Sequence, residues 1–329
     1  MFETKFGASG IADLQTALSF LNTSTWTAIT HLGDGLLPLL LFVGACIARR
    51  IEFALVMGIL SSSTGIIVGL LKQLIQEPRP YLIGDEFTVY AMGSGFGMPS
   101  GHSATGLITL VVIGLFLHRK HYFLLLITLI VLVGLSRVYL GVHTLGQVIA
   151  GWLVALVVLG VYALLKKGIA SETALINKAL LLNLAIISAV LFGLFHFYVD
   201  AYVQQHFRIP ELWQQNDIKV FNILSKGDDE YSPLSLFQAE RIVLVGLYLG
   251  FCIAAVLDWN QWNVIAESRF KTIMNGMLIS VGFVVVFLLS GILEERIYFL
   301  FVLFTLFPIF TVILSPALIH RLMSDTARA

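Results

Sequence analysis

Long apolar runs alternate with short polar segments along most of this chain, and that pattern predicts membrane-spanning helices. A helix needs about 20 apolar residues to cross the hydrocarbon layer of a bilayer. Nine runs approach this length, at residues 27–48, 53–75, 102–118, 122–140, 144–165, 177–198, 240–258, 272–292 and 297–318. We therefore expect an all-α fold, a polytopic membrane bundle of about nine spans.

The polar segments between these runs suggest how the chain is organised. Residues 1–26 precede the first run, and we expect an amphipathic helix there that lies at the membrane interface. Its apolar residues share one helical face: Ile11, Leu14, Leu18 and Leu21. We expect a catalytic core over 27–168 and further membrane helices over 169–329, with one long polar loop at 200–238.

Composition supports a membrane protein and excludes several other classes. The chain is 58% hydrophobic and only 12% charged, whereas soluble domains carry about 25% charged residues. The net charge is zero and no basic block is present, so we expect no nucleic-acid partner. Both cysteines, Cys46 and Cys252, lie inside apolar runs. We therefore expect no disulfide, metal or other cofactor.

Basic residues in the short connections predict the orientation of the bundle. Positive charge concentrates on the cytoplasmic side of membrane proteins. One side carries most of it: Arg49, Arg50, Arg119, Lys120, Lys166, Lys167, Lys178, Arg269, Lys271, Arg321 and Arg328. We expect this side to be cytoplasmic in a bacterial inner membrane or its equivalent, with the N-terminus outside and the C-terminus inside.

Three polar stretches at the ends of apolar runs then open on the extracytoplasmic face. The first contains Lys72 and Arg79, with Pro80 directly after the arginine. The prolines around Arg79 predict that the helix ends before it, which leaves two cations at one membrane boundary. An arginine fork matches phosphate oxygens and a lysine adds a mobile charge. Snorkelling of both side chains to the interface is the alternative interpretation.

The second stretch is a glycine-rich approach to a helix, which ends in Ser100, Gly101 and His102. Ser100 is a plausible N-cap, and the exposed amides beside it would form an anion site at the helix N-terminus. His102 could donate a proton to a leaving oxygen. An ordinary capped helix with an interfacial histidine is the alternative.

The third stretch places Arg137 at the end of one run and His143 at the start of the next. Gln147 follows one helical turn later, close enough to hydrogen-bond the imidazole and orient it. An arginine and a histidine that only cap helices would give the same local pattern. The three stretches together favour one phosphate-sized site on one face.

In this order and spacing the three stretches resemble the motifs of the type 2 phosphatidic acid phosphatase superfamily, over about 72–151. The resemblance implies a core of the type shared with vanadium haloperoxidases, with His143 as the nucleophile that forms a phosphohistidine and His102 as general acid and base. It further implies a set of phosphate-binding residues: Lys72, Arg79, Ser100, Gly101 and Arg137.

Gln147 departs from the pattern of many family members, which carry aspartate at that position. A glutamine can orient the His143 ring, but it lacks the charge that stabilises an imidazolium. Asp34 is another carboxylate that could help, although the sequence does not place it. The glutamine, the nine runs and the predicted orientation resemble the glucose-6-phosphatase branch.

These observations predict a metal-independent membrane phosphatase, acting on a lipid phosphate or prenyl diphosphate at the extracytoplasmic face. A phosphatase for a soluble sugar phosphate and a lipid phosphotransferase are the enzymatic alternatives. A transporter with anion-attracting rim charges is disfavoured, because the cations cluster at one boundary and no inverted repeat is evident.

Overall fold

The computed structural model describes residues 9–84, 86–117, 120–171, 178–225, 231, 240–258, 269–292 and 297–326. Every regular element in these residues is helical, which confirms the all-α prediction. The helices are α1 Ser9–Ala17, α2 Thr23–Thr30, α3 Leu36–Ile47, α4 Ile51–Ile75, α5 Pro80–Ile83, α6 Gly101–Leu117, α7 Phe123–Tyr139, α8 Leu145–Ser171, α9 Lys178–His206, α10 Glu211–Leu224, α11 Glu240–Asp258, α12 Arg269–Ile292, α13 Ile297–Ile309 and α14 Ser315–Thr326.

Each of the nine apolar runs contains helix in its described residues, but nine membrane spans are not confirmed. Among the described residues, five helical stretches are long and apolar enough to cross a bilayer, and the bent pair α2–α3 would make a sixth. The helices α6 and α7 have 17 residues each. At about 1.5 Å per residue they measure about 26 Å, short of the roughly 30 Å hydrocarbon layer. The predicted orientation stays a prediction, and Arg119 and Arg328 lie outside the described residues.

The chain forms two compact units that interleave along the sequence. The first comprises residues 1–37, 64–159 and 195–238, and the second comprises 38–63, 160–194 and 239–329. All three polar stretches belong to the first unit. The predicted limits of a catalytic core and a C-terminal region remain a prediction about function.

In the first unit, α1 turns its apolar face to protein. Ile11 is 1% exposed and belongs to a buried cluster with Trp26 and Tyr139. Gln15 pins the helix by donating to the carbonyls of Thr88, at 2.6 Å, and Tyr139, at 2.7 Å. The face that we assigned to the membrane interface is therefore occupied by packing, because a buried core desolvates the same side chains as lipid would.

Within the predicted long loop at 200–238, most of the described residues are helical. Helix α9 runs on to His206, and α10 occupies Glu211–Leu224. Val220 on α10 is buried, and the Asn216 side chain donates to the Leu82 carbonyl at 3.0 Å. The segment reads as polar because α10 is amphipathic and buries only one face. Residues 226–230 and 232–239 lie outside the described part.

The second unit packs α11 closely against α13 through small residues. A Cβ atom on Gly246 would lie 2.7 Å from the Phe301 carbonyl oxygen, and one on Gly250 would lie 2.3 Å from that of Thr305. Small residues at helix contacts are typical of bundles in lipid. Large apolar side chains on α8, α9 and α12 are exposed, as in Leu164, Leu191 and Phe287. Surfaces of this kind, with the long apolar helices, describe a multi-pass membrane protein.

Candidate active site

The first polar stretch spans the end of α4 and the start of α5. Lys72 lies in the last turn of α4, which ends at Ile75, and Arg79 is the N-cap residue of α5 with Pro80 at the first helical position. Proline suits that position because the first amide has no partner within the helix. The helix therefore ends before Arg79, as the prolines predict, and both cations are buried in the same unit.

Carbonyl groups hold the Arg79 guanidinium on several sides. Its Nη2 donates to the Ser94 oxygen at 2.6 Å, and its Nε donates to the Gly95 oxygen at 3.1 Å. Its Nη1 donates to the Val142 oxygen at 3.2 Å. A Cβ atom on Gly93 would lie 2.5 Å from the guanidinium carbon, so glycine is needed there. The glycine-rich stretch thus wraps around Arg79, a role that its sequence did not reveal.

The same stretch also holds Lys72 and leads into α6. The Lys72 ammonium donates to the Phe96 carbonyl. Ser100 caps α6 as predicted, because its Oγ accepts from the Ser103 amide at 3.4 Å and from the Ser103 hydroxyl at 2.9 Å. Gly101 is the first residue of the helix. The Ser100 amide itself donates to the Gln147 carbonyl at 2.9 Å, which ties the second stretch to the third.

A tight turn between α7 and α8 presents His143. The Arg137 carbonyl accepts from the Val142 amide at 3.2 Å and from the His143 amide at 3.3 Å. Gly141 has a φ of +74°, a left-handed conformation that glycine adopts without strain. The Arg137 side chain is buried, and its Nη1 donates to the Thr30 hydroxyl at 2.8 Å. Its Nε finds no acceptor among the described residues.

The hydrogen bonds of His143 define which ring nitrogen carries the lone pair. Its Nε2 lies 3.2 Å from Arg79 Nη1, and its Nδ1 lies 2.9 Å from Gln147 Oε1. A guanidinium only donates, so Nε2 is the acceptor and Nδ1–H donates to the glutamine oxygen. The structure thus contains the predicted contact between Gln147 and His143. The nitrogen with the lone pair faces a fixed cation.

Burial keeps the His143 ring neutral. The side chain is 1% exposed, and this burial lowers its pKa well below the usual 6.5. The charges of Arg79, Lys72 and Arg137 lower the pKa further, whereas the hydrogen bond that the ring donates to Gln147 raises it. Desolvation and like charges both disfavour a second proton on the imidazole. A neutral ring with a directed lone pair has the form of a nucleophile.

The orientation of the Gln147 amide is set on its other side by two acceptors. Its Nε2 donates to Glu77 Oε1 and to the Pro78 carbonyl, each at 2.9 Å. A Cβ atom on Gly97 would lie 2.5 Å from this Nε2, so the loop passes close to the amide. Sequence reasoning missed Glu77, although it stands inside the first stretch, two residues before Arg79.

His102 has a different partner and a more open position. Its Nε2 lies 2.6 Å from Asp34 Oδ1, and the other carboxylate oxygen lies 2.5 Å from His31 Nδ1. The His102 side chain is 31% exposed. The turn that carries Asp34 fits closely, since a Cβ atom on Gly33 would lie 2.5 Å from the His102 carbonyl oxygen. Asp34 therefore supports His102 and not His143.

Thr30 and Asp34 bring a fourth segment to the site, which lies far upstream in sequence. Thr30 is 107 residues from Arg137, and no local spacing links the two. The threonine ends α2 and the aspartate follows the next turn, so both sit at a bend in the chain. Among the described residues, no three histidine, cysteine, aspartate or glutamate side chains lie close enough together to hold a metal ion.

Comparisons with known proteins show the family of the chain. A model of the PAP2 superfamily matches residues 52–169. A phosphatidylglycerophosphatase B from Bacillus subtilis is 34% identical over 139 residues, which cover 38% of this chain and 66% of the relative. A dolichyldiphosphatase from Saccharomyces cerevisiae is 31% identical over 173 residues, or 48% of this chain and 69% of the relative. The chain spans about two thirds of the length of each relative. No solved structure matches it significantly.

Proposed function

Because the chain belongs to the PAP2 superfamily, we propose that it is a membrane phosphatase that hydrolyses a lipid phosphate or prenyl diphosphate through a phosphohistidine. The observation that carries the mechanism is the pair of contacts on the His143 ring. They leave the Nε2 lone pair directed at Arg79 and hold the only ring proton on Nδ1. His143 attacks phosphorus with that lone pair, and the bond from phosphorus to the leaving oxygen breaks.

The buried cations stabilise the charge on the phosphoryl oxygens during this step. Four of the five Arg79 N–H groups have acceptors among the described residues, and one of these acceptors is His143 Nε2 itself. When Nε2 bonds to phosphorus, that Nη1–H transfers its hydrogen bond to a phosphoryl oxygen. Lys72 and Arg137 add two charges, while Ser100 and the Gly101 amide add neutral donors at the helix N-terminus. Such fixed donors perform the task that metal ions perform in other phosphoryl-transfer enzymes.

His102 manages the proton in both halves of the reaction. In the first half it donates a proton to the leaving oxygen, and the Asp34 carboxylate beside it favours the protonated ring. In the second half it takes a proton from water as the water oxygen attacks phosphorus. The bond from phosphorus to Nε2 then breaks, which releases phosphate and restores the lone pair on His143. Gln147 keeps the proton on Nδ1 throughout.

Three features support an amphiphilic substrate at the extracytoplasmic face. Both relatives have names that describe enzymes of lipid phosphates, phosphatidylglycerophosphate and dolichyl diphosphate. The helices that carry the site are apolar, and in a bilayer their ends would lie near the lipid headgroups. Basic connections on the opposite side favour an outside N-terminus and a cytoplasmic C-terminus.

A substrate panel on the purified protein tests this proposal. Phosphate release is measured from phosphatidate, phosphatidylglycerophosphate, a polyprenyl diphosphate and a sugar phosphate, each with and without a chelator. We expect kcat/KM for at least one lipid to exceed that for the sugar phosphate by a factor of 100 or more, and no effect of the chelator. Equal or better turnover of the sugar phosphate would overturn the lipid proposal, and loss of activity with chelator would overturn metal independence.

A further inference from the structure

We propose that Glu77 is a positioning residue that acts through Gln147 and supplies the negative charge that the glutamine lacks. This inference rests on the proposed function, because it assigns Glu77 a part in stabilising the cationic ring of the phosphohistidine. Three groups form a chain in which imidazole, amide and carboxylate each contact the next. His143 Nδ1 lies 2.9 Å from Gln147 Oε1, and Gln147 Nε2 lies 2.9 Å from Glu77 Oε1.

The first part of the argument concerns the direction of the Gln147 amide. A glutamine side chain can rotate so that its oxygen and nitrogen exchange places, and only its partners decide between the two. Both acceptors at Nε2, the Glu77 carboxylate and the Pro78 carbonyl, require the NH₂ group on that side. The Thr144 amide, 3.4 Å from Oε1, requires the oxygen on the other side. Glu77 therefore helps to present an acceptor to His143, which keeps the ring proton on Nδ1.

The second part concerns charge. When Nε2 bonds to phosphorus while Nδ1 keeps its proton, the ring becomes cationic. Lys72, Arg79 and Arg137 already surround it with positive charge. A neutral amide in contact with the ring opposes this charge only weakly. The carboxylate one group further on polarises the amide and adds negative charge on the Nδ1 side of the ring, whereas Arg79 contacts Nε2, in a chain of hydrogen bonds that strengthen each other.

The third part concerns where Glu77 stands. Its backbone carbonyl accepts from the Gly97 amide at 2.7 Å, and Gly97 is the residue whose missing side chain makes room for Gln147. The first stretch, the glycine-rich loop and α8 thus meet at this one residue, the loop at its backbone carbonyl and α8 at its carboxylate. If Glu77 only filled space, its carboxylate would not need to accept a hydrogen bond from Gln147, the residue that contacts His143.

Two substitutions of Glu77 separate the contribution of its charge from that of its hydrogen bond with Gln147. Glu77→Gln keeps an oxygen that can accept from Gln147 but removes the charge, and Glu77→Met removes both. We expect a fall in kcat of about 10-fold for Glu77→Gln and about 100-fold for Glu77→Met, with little change in KM. Glu86→Gln, which alters an exposed carboxylate in the following connection, is the matched control and should retain full activity.

The pH profile distinguishes an electrostatic role from a loss of packing. A negative charge favours the protonated imidazole, so its removal should move the acid limb of kcat/KM to lower pH in Glu77→Gln. A packing defect would lower the rate and leave the limb in place. The charged groups that act on the ring, Lys72, Arg79 and Arg137, are the same in the two proteins. An unshifted limb with an unchanged kcat would refute the proposal.

A double-mutant cycle tests the connection to Gln147. Gln147→Glu alone places a second carboxylate beside the Glu77 carboxylate and the Pro78 carbonyl, with no donor between them. This repulsion should nearly abolish activity. Adding Glu77→Gln restores one carboxylate and one amide in reversed order, so the double variant should be at least about 10-fold more active than Gln147→Glu alone. Additive losses would refute the coupling. If His143→Ala is fully active, the nucleophile is wrong; if it is inactive while Glu77→Gln is normal, only the role of Glu77 fails.

Discussion

The two histidines of the site stand in opposite environments. His143 is 1% exposed, holds its ring proton against a neutral amide and faces a buried arginine. His102 has a side chain that is 31% exposed and contacts a carboxylate. The surroundings of His143 favour a neutral ring. At His102 the Asp34 carboxylate favours the protonated ring, while burial and the neighbouring arginines oppose it. In the proposed mechanism these surroundings prepare one residue type for two roles, a nucleophile and a proton donor.

This difference is built by different parts of the chain. The residues that contact the His143 ring, Arg79 and Gln147, lie within residues 52–169, which the family model matches. Those of His102 include Asp34, which precedes the matched region. The proposed roles of the two histidines therefore depend in part on an N-terminal segment that the family model does not cover. Substitutions around His143 and substitutions around His102 should have separable effects.

The largest effect is expected for His143→Ala. This change removes the nucleophile, so hydrolysis of the preferred substrate should fall on the order of 10⁴-fold or more. Acid-labile labelling of the protein by a phosphate-labelled substrate should disappear at the same time. Substantial activity in this variant would end the assignment of His143, whatever the other variants show.

His102→Gln should have a smaller effect that depends on the leaving group. Loss of the general acid should lower kcat on the order of 10²- to 10³-fold for an alkyl phosphate, whose leaving oxygen needs a proton. For an aryl phosphate, whose leaving group departs as an anion, the loss should be about 10-fold or less. The ratio of the two rates is the measurement. Equal losses on both substrates would contradict a role as proton donor.

Asp34→Asn should cost about 10-fold in kcat, because it acts on the rate only through His102. The asparagine keeps the size of the side chain but no longer favours the protonated ring. The alkyl phosphate should again lose more than the aryl phosphate. In a His102→Gln background Asp34→Asn should cause no further loss, and an additional loss there would show that Asp34 acts elsewhere.

The smallest expected effect concerns the unmodified protein, in which the acid limb of kcat/KM should be shifted to lower pH than an ordinary histidine would give. In the proposed mechanism His143 attacks as a neutral imidazole, and its pKa is lowered by burial and by neighbouring cations. The neutral form therefore persists as pH falls, and the acid limb of kcat/KM should lie well below the ordinary histidine pKa of 6.5. Substrates with different phosphate pKa values separate their own titration from that of the enzyme. A limb at or above 6.5 would contradict the proposed burial effect.

The motifs show how far local sequence reasoning reaches. Prolines around Arg79 end a helix, Ser100 caps the next one, and a one-turn spacing brings Gln147 to His143; each of these predictions depends on neighbours in sequence and each is present in the structure. Nine spans are not confirmed, and the apolar face of α1 packs against protein. Apolar periodicity reports that a side chain leaves water, but it does not distinguish lipid from a protein core.

The sequence by itself determined the helical class, the apolar helices and the three motifs, because propensity, capping and spacing act over a few residues. Only the tertiary structure decided which carboxylate serves which histidine. Glu77 lies 70 residues from Gln147, and Asp34 lies at a bend upstream of the motifs. Such pairs form only when packed helices bring distant segments together. The charge that Gln147 lacks is an example. Glu77, which we propose supplies it, is present in the first motif, but only the folded structure shows that its carboxylate contacts Gln147.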